Sequence, residues 1–219
     1  MIPLRDHNPS SRSPYLTYTL IGINVLVFLF MMSLGEGELE EFIRIFALVP
    51  AEVVKGLNIQ ALFTSMFLHG SIGHIFGNMM FLNIFGDNLE DRLGRIKYIL
   101  FYLVAGLGAS ALQIFIDPAS TIPNLGASGA IAGLMGGYLV LFPKHKVDIL
   151  LPFGGFLSTA TVPAYTMLFY WILAQFLYGF GGLFIAAQGG VAYFAHIGGF
   201  ITGGAIIYPF KNLLLRRQL

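Results

Sequence analysis

The sequence predicts an all-α membrane protein with six transmembrane helices, and three observations support this fold class. Of its 219 residues, 56% are hydrophobic and only 11% are charged, whereas a soluble domain carries roughly 25% charged residues. The charged residues are clustered, so long apolar runs lie between them. Six of these runs approach the roughly 17 to 25 residues that a helix needs to cross a bilayer.

The predicted spans are Tyr15–Leu34, about Ser71–Leu89, Tyr98–Ile116, Ala127–Phe142, Val162–Phe180 and Val191–Phe210. The first is too long for the apolar region of a signal peptide, and no Ala-x-Ala-like cleavage site follows it, so it is predicted to be a membrane anchor. The fourth has about 16 residues, or roughly 24 Å of helix, which is less than the ~30 Å hydrocarbon core. The N-terminus of the fourth helix is therefore predicted to lie below the membrane surface, in a polar cavity.

Two further apolar stretches are predicted to lie in the membrane interface or to dip into the protein. Gly56–Gly70 is the surplus of an uncharged run that is longer than one helix needs. Ile149–Phe156 is interrupted by Pro152 and two glycines. Irregular backbone is tolerated at membrane depth only where protein or water covers it.

Lysine and arginine positions predict the orientation. Ten of the twelve basic residues lie in the two terminal segments and in the loops after the second and fourth spans; Arg44 and Lys55 lie in a loop that faces the other way. Cytoplasmic loops carry an excess of Lys and Arg. Both termini are therefore predicted to be cytoplasmic, and the loops Asp117–Pro123 and Gly181–Gly190 are predicted to lie outside.

The chain is predicted to be a single membrane domain, residues 1–219, with short cytoplasmic tails at about 1–14 and 211–219. Because the sequence has no cysteine, disulfides, thiolate metal sites and cysteine nucleophiles are excluded. The net charge of +1 gives no indication of nucleic-acid binding, since the basic residues lie at membrane boundaries and do not form one patch.

The polar residues in or beside the predicted spans point to one site. They are His69, His74, Asn78, Ser128 and His196. Ionisable groups within membrane spans are costly and usually functional. In the predicted topology the second, fourth and sixth spans run in the same direction, so all five residues lie in the outer half of the membrane at similar depth.

Small residues at four-residue spacing predict where the fourth and sixth spans meet. They form two rows, Gly129, Gly133 and Gly137 in the fourth span and Ala195, Gly199 and Gly203 in the sixth. Such rows allow close approach of helix backbones. Ser128 and His196 each lie next to a row, so both would flank the same seam, where a Ser–His hydrogen bond could activate the hydroxyl. The N-terminus of the fourth helix would stabilise an oxyanion.

The residues by themselves leave other roles open. A serine in a transmembrane helix often packs against a neighbour or bonds to its own backbone, and a membrane histidine can be structural or handle protons. His69 and His74 lie roughly 140° apart on a helix and have no carboxylate nearby, so no metal site is predicted. A serine triad also uses a carboxylate to orient its histidine, and none lies within the predicted bilayer region.

Four blocks of sequence carry a resemblance that covers about residues 15 to 210. They are HGSIGHIFGN (His69–Asn78), FGDNLEDRLG (Phe85–Gly94), GASGAIAG (Gly126–Gly133) and AHIGGFITG (Ala195–Gly203). In order and spacing these blocks resemble the rhomboid family of intramembrane serine proteases. The resemblance implies a compact, rhomboid-like bundle of six transmembrane helices and a Ser–His dyad that needs no acid, metal or other cofactor.

The resemblance also implies roles for single residues. Ser128 of the G-x-S-G block, which begins at Gly126, would be the nucleophile, and His196 the base. His74 and Asn78 would complete an oxyanion hole with the backbone N–H of Ser128.

Two supporting residues and two departures follow from the same resemblance. His69 would hold water or fix the outer loop, and Glu90 would be a structural hydrogen-bond partner at the inner end of the second span. Many members carry a Trp-Arg pair in the first outer loop, but the only tryptophan here is Trp171, in the fifth span. Some members place a tyrosine one turn after the serine, where this chain has Ala132.

The implied substrates are single-span membrane proteins, cut near the outer end of the span, where small residues are favoured and the helix unwinds easily. The lipid bilayer is the other implied partner, with no nucleic acid, and the bare six-helix form suggests a prokaryotic plasma membrane. The alternative is a catalytically inactive rhomboid-like protein that binds membrane clients. Such proteins lose the serine or the histidine, and this chain keeps both. A secondary transporter would favour an internal repeat and polar groups near the midplane.

Overall fold

A computed structural model describes residues 2–153, 156–182 and 190–216. In chain order its elements are β1 (Ile2–Asp6), α1 (Tyr15–Ser33), α2 (Glu36–Phe46), α3 (Pro50–Val53), α4 (Ala61–Thr64), a 3-10 helix (Ser65–Phe67), α5 (Ile72–Leu93), α6 (Arg95–Ile116), α7 (Ser128–Leu141), β2 (Lys146–Phe153), β3 (Phe156–Pro163), α8 (Ala164–Gly182), α9 (Tyr193–Ile207), a 3-10 helix (Tyr208–Phe210) and α10 (Lys211–Arg216). The described residues are therefore mostly helical and include one small sheet.

The six predicted spans correspond to α1, α5, α6, α7, α8 and α9. By length and mean hydropathy, α1 and α6 are the described helices that could cross a membrane, and α7 is a shorter apolar helix. Helix α5 continues to Leu93, beyond the predicted end of the second span at about Leu89. Helix α9 ends at Ile207, before the predicted end of the sixth span at Phe210, and a 3-10 helix follows. The predicted loop Gly181–Gly190 falls largely on 183–189, outside the described residues.

The outward faces of several helices carry large, exposed apolar side chains. They include Leu26, Leu29 and Phe30 in α1, Leu100 and Phe115 in α6, and Phe169 and Leu177 in α8. Phe115 is 78% exposed and Leu26 is 68% exposed. An apolar surface this extensive is unusual for a protein in water and marks a face that contacts lipid or another protein.

Helix α7 lies at the centre of the fold and buries 11 of its 14 residues. Its backbone touches that of α9 at glycines. A Cβ atom on Gly199 would overlap the carbonyl oxygen of Gly129, and one on Gly203 would overlap that of Gly133. The predicted rows of small residues therefore do lie in contact, and they bring the beginnings of α7 and α9 together.

The prediction of an all-α fold was wrong for the segment after α7. Strands β1, β2 and β3 form an antiparallel sheet in that order. Of the predicted interfacial segment Ile149–Phe156, residues 149–153 belong to β2 and Phe156 begins β3, with Leu150 opposite Thr159. Apolar content alone cannot distinguish an interfacial segment from a strand, because strand pairing depends on a partner elsewhere in the chain. Here that partner includes residues 2–6, predicted to be part of a tail, with Ile2 opposite Leu150.

The first outer loop is attached to the bundle by backbone hydrogen bonds. Leu48 N–H donates to the Asn124 carbonyl at 2.9 Å, and Asn124 N–H donates back at 2.7 Å. In the same loop, the side chains of Ala61, Ser65 and Met66 are buried. The later part of the stretch Gly56–Gly70 thus packs into the protein, whereas Leu57 and Ile59 are exposed. The Leu48–Asn124 pair anchors the loop, which lacks a Trp-Arg pair.

Candidate active site

Ser128 and His196 are brought together where two helices begin. Ser128 is the first residue of α7, and His196 lies in the first turn of α9. The Ser128 Oγ atom lies 2.8 Å from His196 Nε2, which is hydrogen-bond distance. The contact follows from the glycine seam, because that seam allows the two helix starts to approach. A hydroxyl and an imidazole in this geometry can exchange a proton.

His196 is also held by helix α8, a contact that sequence reasoning missed. Its Nδ1 lies 2.8 Å from Oε1 of Gln175, which is buried. The ring of Trp171 packs against the imidazole, with ring centroids 5.7 Å apart and planes inclined at 33°. Trp171 thus packs on the histidine in place of the tyrosine that is absent at Ala132. The available signal was Gln175 itself, an amide within an otherwise apolar predicted span.

His74 and Asn78 lie beside the backbone that leads into α7. Gly126 has φ +130°, a conformation that favours glycine. A Cβ atom at Gly126 would lie 2.7 Å from His74 Nε2 and 3.6 Å from Asn78 Nδ2. Glycine therefore leaves room for both side chains two residues before Ser128.

His69 is buried behind these residues and does not reach Ser128. The Asn78 amide nitrogen lies 2.8 Å from His69 Nε2, and the His69 ring packs edge-on against His74, with centroids 5.0 Å apart. His69 therefore orients Asn78. Whether it also holds water stays a prediction.

A cavity of about 490 Å³ opens onto the two candidate catalytic residues. Its polar lining includes His74, Asn78, Ser128 and His196, and its apolar lining includes Met135 and Trp171. One water molecule takes up about 30 Å³ of liquid, so the cavity has room for a reactant together with water. The four polar residues therefore face one common space, and their depth in the membrane stays a prediction.

Glu90, in α5, does not line this cavity and bonds instead to the beginning of α1. Its carboxylate accepts hydrogen bonds from the backbone N–H groups of Leu16 and Thr17, at 3.0 and 2.8 Å, and from Thr17 Oγ1 at 2.9 Å. Within residues 2–153, 156–182 and 190–216, no cluster of three or more His, Asp or Glu side chains could hold a metal ion.

The fold and site thus define a helical protein with a Ser–His pair in a cavity among apolar helices. The rhomboid domain family matches residues 57–212, and the chain belongs to this family. The resemblance seen in the sequence is therefore confirmed, and integral membrane association follows at family level.

Three relatives show how widely the family match extends. RHOMBOID-like protein 4 of Arabidopsis thaliana is 34% identical over 69% of this chain and 34% of the relative. Rhomboid protease GluP of Bacillus subtilis is 26% identical over 94% of this chain and 38% of the relative. The mitochondrial Rhomboid protein 1 of Saccharomyces cerevisiae is 30% identical over 60% of this chain and 38% of the relative. The chain spans less than two-fifths of the length of each.

Proposed function

We propose that this chain is an intramembrane serine endopeptidase with Ser128 as nucleophile and His196 as general base. The observation that carries the proposal is the 2.8 Å contact between Ser128 Oγ and His196 Nε2 at the N-terminus of α7. A serine hydroxyl is a weak nucleophile until a base takes its proton. Membership of the rhomboid family, with a relative named a protease, supports the same function.

The proposed reaction follows the acyl-enzyme route. Ser128 Oγ attacks the scissile carbonyl carbon while its proton passes to His196 Nε2, and the imidazolium then protonates the leaving amine. Water attacks the acyl-enzyme with His196 as base, which releases the acid and restores the hydroxyl. The tetrahedral oxyanion would accept hydrogen bonds from the Ser128 backbone N–H, Asn78 and His74. Because the Asn78 amide has two N–H groups, one can bond to His69 while the other serves the oxyanion.

We further propose that α1, α5, α6, α7, α8 and α9 form a bundle of six spans and that the cavity opens toward the outer side. Pairing of β1 with β2 supports this arrangement, because it places residues 2–6 on the same side as Lys146. Ser128, His74 and His196 all lie near the N-termini of their helices, at the other end of α7 from β2. Both chain ends would then be cytoplasmic.

The proposed substrates are single-span membrane proteins cut near the outer end of their span. The lipid bilayer is the other proposed partner, and no role with nucleic acid is proposed.

The prediction of a prokaryotic plasma membrane is not kept, because the relatives include mitochondrial and plant proteins beside a bacterial one. Gly126 is proposed to leave space for His74 in the site. Glu90 is proposed to support the beginning of α1, outside the site.

Labelling of the purified protein with a serine-directed phosphonate tests the nucleophile. We expect one adduct, mapped by peptide mass spectrometry to Ser128, and cleavage of a single-span reporter that Ser128→Ala abolishes. A protein that binds the reporter but forms no adduct and makes no cut would instead be the inactive client-binding protein. Cleavage blocked by a chelator and restored by added metal would also contradict the proposal.

Single cysteines test the orientation, since the chain has none of its own. Cysteine at Ser120 should react with a membrane-impermeant maleimide in intact cells, whereas cysteine at Lys144 should react only after lysis. Cysteine at Ser128 should react slowly with a small, charged thiosulfonate added outside, and cysteine at the buried Leu141 should not react. Labelling of Lys144 but not Ser120 from outside would invert the topology.

A further inference from the structure

Gln175 is a buried amide that lies between the backbone of its own helix and the candidate base. Only 8% of its surface is exposed. Its Oε1 atom lies 2.8 Å from His196 Nδ1, and its Nε2 atom lies 3.2 Å from the carbonyl oxygen of Trp171, four residues earlier in α8. Both ends of the amide are therefore occupied.

These two contacts settle the orientation of the amide. The Trp171 carbonyl can only accept a hydrogen bond, so it must face the amide N–H₂ group. The amide oxygen then faces His196 and can only accept, so Nδ1 of the imidazole must carry the proton. In a neutral imidazole, Nε2 is consequently free of hydrogen and can accept from the Ser128 hydroxyl.

Helix α8 contacts the imidazole of His196 through two side chains. Gln175 bonds to Nδ1, and the Trp171 ring packs against the imidazole ring at an angle of 33°. Residues four apart lie on the same side of a helix, so both contacts come from neighbouring positions of α8. Rotation of the imidazole about its side-chain torsions would break one contact or the other.

We infer that Gln175 is the positioning residue of the Ser128–His196 pair, an inference that rests on the proposed protease function. Its amide oxygen occupies the place that a carboxylate has in a serine triad and keeps His196 in the tautomer that accepts a proton from Ser128. A neutral amide does this without a buried negative charge, which would be expensive to place among apolar helices.

The same contact also serves the charged intermediate. When His196 takes the serine proton at Nε2, Nδ1 still carries its own hydrogen and the bond to Oε1 is kept. A hydrogen bond from a charged donor is stronger than one between neutral groups. Gln175 therefore stabilises the imidazolium while the proton itself stays on the ring.

Substitution of Gln175 tests the inference with two readouts. In Gln175→Leu we expect kcat to fall about 10- to 100-fold with KM unchanged. This loss is larger than the effect of one neutral hydrogen bond. It is smaller than the ~10⁴-fold loss that follows when the orienting carboxylate of a serine triad is replaced by an amide. Imidazole ¹⁵N NMR, with the His196 signal assigned by its loss in His196→Ala, should show Nδ1–H in the unaltered protein and an increased Nε2–H fraction in the variant.

Two further variants separate positioning from structure. Gln175→Glu restores an acceptor for Nδ1–H, so it should recover the Nδ1–H signature and part of kcat. Gln113 is the matched control, since its Oε1 accepts from the Ala195 backbone N–H of α9 at 3.3 Å. Gln113→Leu should lower thermal stability and leave the His196 tautomer unchanged.

The outcomes distinguish this inference from the proposed function. Unchanged tautomer and kcat in Gln175→Leu, or the same tautomer shift in Gln113→Leu, would overturn the positioning role. Should Gln175→Leu fail to fold, a Gln175→Glu protein without the Nδ1–H signature would overturn it as well. Absence of a phosphonate adduct at Ser128 in the unaltered protein would overturn the protease function, whereas the NMR readout would still report on the Gln175 contact.

Discussion

The two ends of α7 differ in how completely their polar side chains are bonded. At its beginning, Ser128 Oγ makes one side-chain hydrogen bond within the described part of the chain, to His196, and faces a cavity. Ten residues later, about 15 Å along the helix, the Tyr138 hydroxyl donates to Asp6 at 2.8 Å, and Asn88 Nδ2 donates to the same carboxylate at 2.9 Å. One end retains hydrogen-bonding capacity for a reactant, and the other uses it to join β1 to the bundle.

Two more carboxylates at the second end are similarly bonded. Glu90 accepts three hydrogen bonds at the beginning of α1. Asp148 accepts from Thr161, Arg5 and His7, which together hold its pKa below the usual range. Burial raises the pKa of Asp6, against the effect of its hydrogen bonds. These three carboxylates therefore support the structure, whereas the proposed chemistry at the cavity end uses neutral groups.

The largest expected effect is at the cavity end. Ser128→Ala and His196→Ala should each lower kcat for a single-span reporter by on the order of 10⁴-fold or more, because the nucleophile and base act as a unit. The double variant should lose little more, and each protein should remain folded by circular dichroism. Strong residual cleavage in one single variant, well above the double, would show that the pair is not the catalytic unit.

Loss of the oxyanion donors should have the next largest effect. Asn78→Ala should lower kcat by on the order of 10²–10³-fold if its amide is an isolated donor. A smaller loss is expected if His74 and the Ser128 N–H share the charge, so His74→Ala is measured alongside. Unchanged turnover in both variants would show that α5 donates no hydrogen bond to the oxyanion. The catalytic groups at the cavity end would then be the Ser–His pair alone.

Substitution of Glu90 tests the structural role of the end of the molecule opposite the cavity. Glu90→Ala leaves the buried N–H group of Thr17 and the partly buried N–H group of Leu16 without their acceptor. This loss should lower the free energy of unfolding by about 2 to 3 kcal/mol. Denaturant unfolding measures this loss, and reporter cleavage per folded molecule should stay unchanged. A fall in kcat as large as that of Asn78→Ala would show that the two ends are not separable.

The smallest expected effect concerns the attachment of β1. Because the folded-state pKa of Asp148 is lowered, its contribution to stability is present above its unfolded pKa of about 3.9 and is lost as the pH falls through the folded value. Asp6, with its raised pKa, opposes this loss. Hydrogen exchange of residues 2–6 should be a few-fold faster in Asp148→Asn than in the unaltered protein at pH 7, with the difference shrinking below about pH 4. Equal exchange at pH 7 would exclude a role for Asp148 in holding β1.

The errors of the sequence prediction concern features that depend on distant partners. The six apolar segments were recognisable because each carries its own length and composition. The sheet was missed because neither Ile2–Asp6 nor Ile149–Phe156 indicates by itself that the two will pair. Gln175 was missed for the same reason, since an amide in an apolar segment gains meaning only once His196 is seen 2.8 Å away. The roles of Ser128, His196, His74 and Asn78 stay predictions until they are tested.

The sequence by itself determined the apolar segments, the family and the residues around which a site could form, since these follow from composition and from motifs that are contiguous in the chain. The glycine rows even indicated which helices would meet. The tertiary structure decided which groups surround the imidazole, with Trp171 packed against the ring and Gln175 bonded to Nδ1. It also decided that β1 closes the opposite end. Such contacts join residues 21 to 143 positions apart, and their geometry exists only after the helices and strands have packed together.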